Sequence, residues 1–259
     1  MAKPLHRTHV REIRRDHPDV ISIDMEPCGM PAPTTVDDHV KIVLPPPGAS
    51  WHTPVPDPLP DDQAAPLLRT YTRRRVRPDG GWGIDVLLFD HGGPGNVWAR
   101  GLQVGDAVDV RGPGGHFPMP RDPGTIWMVG DDVALPTIAN ALAELPSTSR
   151  AVVVVEEGHH DYPLPDHPGS EVVRVPVSPG GLALVEAVAD LPDPTGTWWA
   201  FVHGQAAMVR PLRRHLRVER GLDRDRLALS AYWIAGRDAE AWRAMKSEFT
   251  RTMEAESGD

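Results

Sequence analysis

Three short runs carry side chains suited to holding a flat, phosphorylated molecule. The first is Arg69-Thr70-Tyr71-Thr72. Side chains of a strand alternate between its two faces, so Arg69 and Tyr71 fall on one side and Thr72 on the other. A cation beside an aromatic ring can hold a phosphate and a planar ring system together, although an ordinary exposed strand face carries such pairs too. The second run, about twenty residues on, is His91-Gly92-Gly93-Pro94-Gly95-Asn96-Val97-Trp98-Ala99-Arg100. Glycines let backbone approach a ligand, and Asn96 is an N-capping residue type. The free N–H groups of a short helix over 97–100 would then face a phosphate favourably. A glycine-rich hairpin loop would account for the same residues.

The third run, Val129-Gly130-Asp131-Asp132-Val133-Ala134-Leu135-Pro136, stands where a strand should give way to a helix. His203-Gly204-Gln205-Ala206-Ala207 repeats that arrangement later in the chain. In doubly wound sheets ligands bind outside the carboxyl ends of the strands, which makes both runs candidates for a nucleotide edge. Neither is the G-x-G-x-x-G fingerprint, and Asp131 and Asp132 would repel a bare pyrophosphate. Glu156 and Glu157 end another strand, where an acid can bond ribose hydroxyls.

Other chemistries lack their residues. His159, His160 and Asp161 are adjacent in sequence without a spaced His or Cys partner, so no metal site is expected. Ser147, Ser149 and Ser178 lack the G-x-S-x-G elbow of a hydrolase. Arg73, Arg74, Arg75 and Arg77 form the one basic cluster, read either as the solvated face of a strand and turn or as an attractor of an anionic ligand. A net charge of −9 and no sustained Lys/Arg block argue against nucleic-acid binding.

The elements that must position these groups differ between the two halves of the chain. Segments 38–44, 67–76, 83–89 and 106–111 are short, strand-like and bounded by turn formers, which suggests an antiparallel barrel or sandwich. Pro45 to Pro60 holds seven prolines and reads as a surface loop. After Pro123, strands at 125–130, 151–157, 171–177, 197–203 and 226–233 alternate with helices at 135–145, 181–190 and 205–220. This is the pattern of a doubly wound parallel sheet. Trp242, Met245, Phe249 and Met253 are spaced for an amphipathic terminal helix. The expected organisation is a barrel domain over 1–122, an α/β domain over 123–236 and a terminal helix over 237–259.

The single cysteine, Cys28, cannot form an internal disulfide. The basic N-terminus has no apolar run behind it. Both point to a protein of the reducing cytoplasm without signal peptide or membrane insertion.

In order, the motifs resemble the siderophore-interacting protein family of the ferredoxin-reductase superfamily, from about Asp37 to Gly236. The matching residues are Asp37-Asp38-His39-Val40-Lys41-Ile42, Arg69 to Thr72, His91 to Ala99, Gly130 to Pro136, and Tyr232-Trp233 with Gly236. The resemblance implies an FAD-binding barrel followed by a nicotinamide-binding α/β domain. It implies Arg69 on the flavin phosphate, Tyr71 and Thr72 against the isoalloxazine, and His91, Gly92, Gly93, Gly95, Asn96, Val97 and Trp98 around the pyrophosphate. Gly130, Asp131, Asp132, Ala134, Gly204, Gln205, Ala206, Tyr232 and Trp233 are expected at the donor site, and Lys41, Arg73 and Arg75 at an anionic substrate. Asn96, Asp132, Val133, Gln205 and Ile234 depart from the usual Ser, Glu, Thr, Glu and Arg.

The activity implied is NADPH- or NADH-dependent reduction of a ferric siderophore through FAD, with a ferredoxin as a possible donor. The alternatives are a general flavin- or quinone-type reductase, or a non-catalytic flavin- or siderophore-binding protein. The absence of an acid–base constellation fits chemistry carried by a flavin.

Overall fold

A computed structural model describes residues 3–49, 55, 65–90, 92–158 and 161–258. Most of the proline-rich loop, His91, His159 and His160 lie outside the described residues. The chain divides into two compact units, Met1–Pro118 and Met119–Asp259.

The first unit is antiparallel. Its strands are β1 (Leu5–His17), β2 (Val20–Met25), β3 (His39–Leu44), β4 (Leu67–Thr72), β5 (Trp82–Leu87) and β6 (Ala107–Gly114), with one helix among the described residues, α1 (Pro94–Gly101). The spatial order is β4-β3-β6-β1-β2-β5. The two edges of this sheet approach each other: past the end of β4, Arg74 exchanges a pair of 2.7 Å backbone hydrogen bonds with Gly83 of β5. The inward positions, among them Val10, Ile23, Met25, Val40, Ile42, Trp82, Ile84, Val108 and Val110, form one apolar core.

The β1–β2 hairpin was not legible in the sequence. β1 runs for 13 residues but reads LHRTHVREIRRDH, with only Thr8 and Val10 buried. Its outer face is so basic that the alternation is hidden. β4 also ends four residues before the expected 76, because the chain bends at Arg75, which has a φ of 47°.

The second unit is a five-stranded parallel sheet built from β7 (Thr125–Gly130), β8 (Arg150–Glu157), β9 (Ser170–Pro176), β10 (Trp198–Gln205) and β11 (Leu227–Trp233). α2 (Leu135–Glu144), α3 (Leu182–Asp190) and α4 (Ala206–Arg214) connect strands of this sheet, and α5 (Ala239–Glu256) follows it. The order β11-β10-β7-β8-β9 reverses direction between β7 and β10. That reversal is the topological switch point, where the connections leave on opposite sides and open a crevice at the strand ends.

α4 is shorter than the pattern predicts. Pro211 interrupts its hydrogen bonding, and the chain continues as a π-type turn over His215–Glu219. α5 starts on Asp238, whose side chain accepts the Ala241 N–H at 2.7 Å, and buries Trp242 and Met253 in the core of the second unit. Met245, expected on the same stripe, is exposed. At about 100° per residue it lies at the flank of the face centred on Trp242, Phe249 and Met253. Among the described residues no helix is long and apolar enough to cross a membrane.

Candidate functional site

In the first unit, β4 and α1 bring the first two runs together. Gly95 is buried in the first turn of α1, and a Cβ added there would collide with the Tyr71 hydroxyl and stand 3.6 Å from Arg69 Cγ. Arg69 and Tyr71 therefore share the face turned to α1, as strand alternation requires. Burial pushes the Tyr71 phenol well above its ordinary range, against the opposing effect of Arg69, so it remains a neutral hydroxyl at physiological pH. The Tyr71 and Trp98 rings lie 6.3 Å apart at 32°.

Asn96 does not cap the helix, which corrects the expected start at 97. Gly93 is the N-cap, with no side-chain cap bond, and Pro94 occupies the first helical position, which its fixed φ suits. Asn96 instead lies one turn in, accepting the Phe89 N–H at 2.8 Å and donating to Leu87 O at 2.9 Å. It ties α1 to the end of β5 and leaves the helix N-terminus without a side-chain cap, open to an anion.

Beside this helix is an open cleft of about 450 Å³ lined by Leu44, Pro45, Pro47, Leu67, Gly92, Pro94, Val97 and Trp98. Cβ atoms at Gly92 and Gly93 would meet nothing within 4 Å. An apolar wall, an aromatic pair, a cation and an uncapped helix start fit the ring and phosphate parts of a flavin nucleotide. The apolar lining from β3 and the proline turn was missed in the sequence, where Pro45 and Pro47 signalled only a loop.

The arginine run is neither a solvated face nor a cluster of available cations. Arg73 is buried, and its guanidinium makes a two-pronged pair with Asp38 (Nε–Oδ1 2.8 Å, Nη2–Oδ2 3.1 Å) and donates to Pro31 O at 2.8 Å. Arg75 bonds Asp24 at 3.0 Å and Asp85 at 2.6 Å, and Arg74 pairs with Asp85 at 3.1 Å. Arg77 and Arg14 complete the shell around Asp24. Arg73 and Arg75, expected at an anionic substrate, are thus engaged by the buried carboxylates of Asp38, Asp24 and Asp85. Lys41 sits in β3 between Thr70 and Arg111, and Thr72 is paired with His39.

In the second unit, the two glycine turns meet at the switch point. Gly130 is paired with His203, and a Cβ on it would crowd Ala134 at 2.6 Å. Gly204 has a φ of 138°, and its Cβ would stand 2.7 Å from Asp131. The Asp131 carboxylate does not point at a phosphate. It is buried, and Oδ2 accepts the Gln205 N–H at 2.8 Å and the Trp233 indole N–H at 2.8 Å. Burial pushes this carboxyl up to about 7, opposed by those two hydrogen bonds and reinforced by Glu156 and Asp132. Asp132 lies against Gly158 at the end of β8.

Tyr232 shares a 2.7 Å hydrogen bond with His203 Nδ1. Ala134 and Ala206 are buried in the fold.

An antiparallel unit carrying this cleft, followed by a parallel sheet with glycine turns at its switch point, defines a ferredoxin-reductase-like flavoprotein architecture. The same fold, and the fold alone, is shared with the ferredoxin reductase in carbazole 1,9a-dioxygenase (18% identity, TM-score 0.64, 89% of this chain and 70% of that one). The chain belongs to the siderophore-interacting protein family. Residues 17–117 match the siderophore-interacting FAD-binding domain and residues 124–236 the siderophore-interacting protein model. It is 33% identical over 187 residues to the ferric vibriobactin reductase ViuB of Vibrio cholerae, covering 68% of each chain. The crystal structure of the siderophore-interacting protein SipS from Aeromonas hydrophila superposes with a TM-score of 0.80 at 29% identity, over 96% of this chain and 99% of that one.

Proposed function

We propose that this protein is an FAD-containing, NAD(P)H-dependent reductase of ferric siderophores. The observation that carries the reading is the convergence of Arg69 and Tyr71 on Gly95 at the uncapped start of α1, beside the apolar cleft. It is supported by the relationship to a ferric vibriobactin reductase. In this reading Arg69 meets the flavin phosphate, and Tyr71 and Thr72 lie against the isoalloxazine. Gly92, Gly93 and the first turn of α1 present backbone to the pyrophosphate, with His91, Val97 and Trp98 around it. Asn96 acts indirectly, by fixing α1 to β5.

FAD, when bound, supplies the redox chemistry: it takes two electrons with a nicotinamide hydride and gives them up singly, so that one donor reduces two ferric ions. The chain's own part is to bind, orient and exclude water. The second unit would receive the dinucleotide at the switch point, where Gly130 and Gly204 let the strand ends pack closely on Ala134 and Asp131, while Asp132 and Glu156 lie at neighbouring strand ends. Their charge makes donor binding weak, with a Michaelis constant on the order of 1 mM. Iron(II) is softer than iron(III) and held less tightly by hard oxygen donors, so reduction frees it from the siderophore. With one free thiol and no disulfide, the reducing cytoplasm suits the chain and the chemistry.

The test begins with the visible absorption spectrum of the purified protein. Flavin bands are expected, with anaerobic bleaching by NADPH or NADH and recovery on adding a ferric siderophore as a chelator traps Fe(II). Bleaching only by reduced ferredoxin would move the donor role to a protein. A preparation that retains no flavin under any loading condition would sink the proposal.

A further inference from the structure

The ends of three strands are tied together by one carboxyl oxygen. Asp131 follows β7, yet its Oδ2 accepts the backbone N–H of Gln205, at the end of β10, and the indole N–H of Trp233, at the end of β11, each at 2.8 Å. Asp131 is 4% exposed, and Gly204, which precedes Gln205, leaves no room for a Cβ against its carboxyl. Trp233 itself is 39% exposed. The carboxyl thus anchors by its polar end an indole that stands partly in solvent at the switch-point edge. An indole has a single N–H donor, so holding that donor fixes the ring's orientation.

We propose that Asp131 is the positioning residue of the donor site: it sets the orientation of Trp233 and of the Gly204–Gln205 turn for a dinucleotide, without itself contacting one. The proposal rests on the reading of the second unit as the nicotinamide-binding domain and assigns the division of labour within it. Oδ2 already serves two donors and Oδ1 is buried, so the carboxyl offers neither oxygen to a ligand from solvent. Its titration supplies a signature. Burial raises the carboxyl to about 7, with Glu156 from β8 and the adjacent Asp132 adding to the rise. Of the other titratable groups on these strand ends, His203 and Tyr232 are bonded to each other. Ionisation of Asp131 converts the two neutral hydrogen bonds to charge-assisted ones, so the tether tightens as pH rises through neutrality.

The experiment uses the full chain loaded with FAD, without nucleotide in one arm and with NADPH or NADH in the other. Eight tryptophans emit, and subtracting Trp233→Phe from wild type isolates this indole. Its emission is expected to titrate near pH 7 in wild type and not in Asp131→Asn, which keeps an acceptor oxygen but cannot ionise. In Asp131→Ala, acrylamide quenching of Trp233 rises several-fold, and the donor Michaelis constant rises about tenfold with kcat at saturation little changed. Asp131→Asn stays within threefold of wild type. Should Asp131→Ala not fold, Trp233→Phe makes the same kinetic comparison with the carboxyl intact, and its Michaelis constant should rise.

A titration that persists in Asp131→Asn, or unchanged quenching in the truncated variant, overturns the tether. Loosened emission with an unaltered Michaelis constant reduces Asp131 to a structural role and overturns positioning. Wild-type protein that accepts electrons from neither nicotinamide overturns the donor-site reading, separately from the emission arm.

Discussion

The Tyr71 hydroxyl occupies the space that a Cβ on Gly95 would need. The glycine at this point of α1 is therefore a matter of close approach, since its backbone is helical. Gly95→Ala should gain helix propensity, roughly 1 kcal/mol, and still lose flavin, because the new methyl displaces the ring proposed to lie against the isoalloxazine. The expected result is a fold-intact protein with at least tenfold weaker FAD retention, read by flavin fluorescence on dilution. The double variant Gly95→Ala with Tyr71→Phe should recover part of the loss by vacating that space.

Arg69→Ala removes the cation assigned to the flavin phosphate. A charge-assisted contact of this kind is worth about 1.5–3 kcal/mol, or about ten- to a hundredfold in affinity. Titration of the apoprotein with FAD should show that weakening with unchanged circular dichroism. Undiminished affinity would remove Arg69 from the site.

Arg73 tests the opposite assignment, a structural one. Its pair with Asp38 is buried on both sides, with side-chain exposures of 2% and 7%. Removing one partner leaves an uncompensated charge, at a cost of about 3–5 kcal/mol. Arg73→Ala should lower the denaturation midpoint of the protein accordingly. Because the cluster is internally neutralised, siderophore reduction should not depend on ionic strength through these arginines. A steep salt dependence lost on replacing Arg75 would contradict this.

Asp24 gives the first unit an acid limit. Burial raises its carboxyl, but hydrogen bonds from Arg14 and Arg75 outweigh burial and hold it below the ordinary carboxylate range. A folded-state pKa below the unfolded one contributes stability that is present above the unfolded value near 4 and is lost as pH falls through the folded value. Denaturation profiles should therefore weaken below about pH 4. Asp24→Asn should be less stable at neutral pH and show a shallower further loss on acidification.

Asp132, set against Gly158 at the end of β8, is with Glu156 one of two acids near the proposed dinucleotide. Neutralising it in Asp132→Asn should relieve about 1 kcal/mol of repulsion at water-like screening, lowering the nicotinamide Michaelis constant about fivefold. Steady-state kinetics with NADPH and NADH would show it, and a raised constant would mean that the acid is instead a ligand.

What the sequence determined by itself was set by local rules. The aliphatic runs 125–130 and 151–157 are buried on both faces, so they read as parallel strands wherever they pack. Arg69 and Tyr71 share a face because strands alternate. The ordered motifs carried the family, since each of them is contiguous in the chain. Tertiary structure decided where the charges go. Arg73 and Asp38 are 35 residues apart, Arg75 and Asp24 are 51 apart, and Asp131 and Trp233 are 102 apart. No local pattern pairs such residues, so a basic run looked available and an acidic one looked repulsive. Asn96 shows the same limit at short range: its residue type suits a cap, but the turn set by Gly93 and Pro94 starts the helix earlier and turns the amide to β5. Burial converts polar side chains from ligands into ties, and burial is a property of the folded chain.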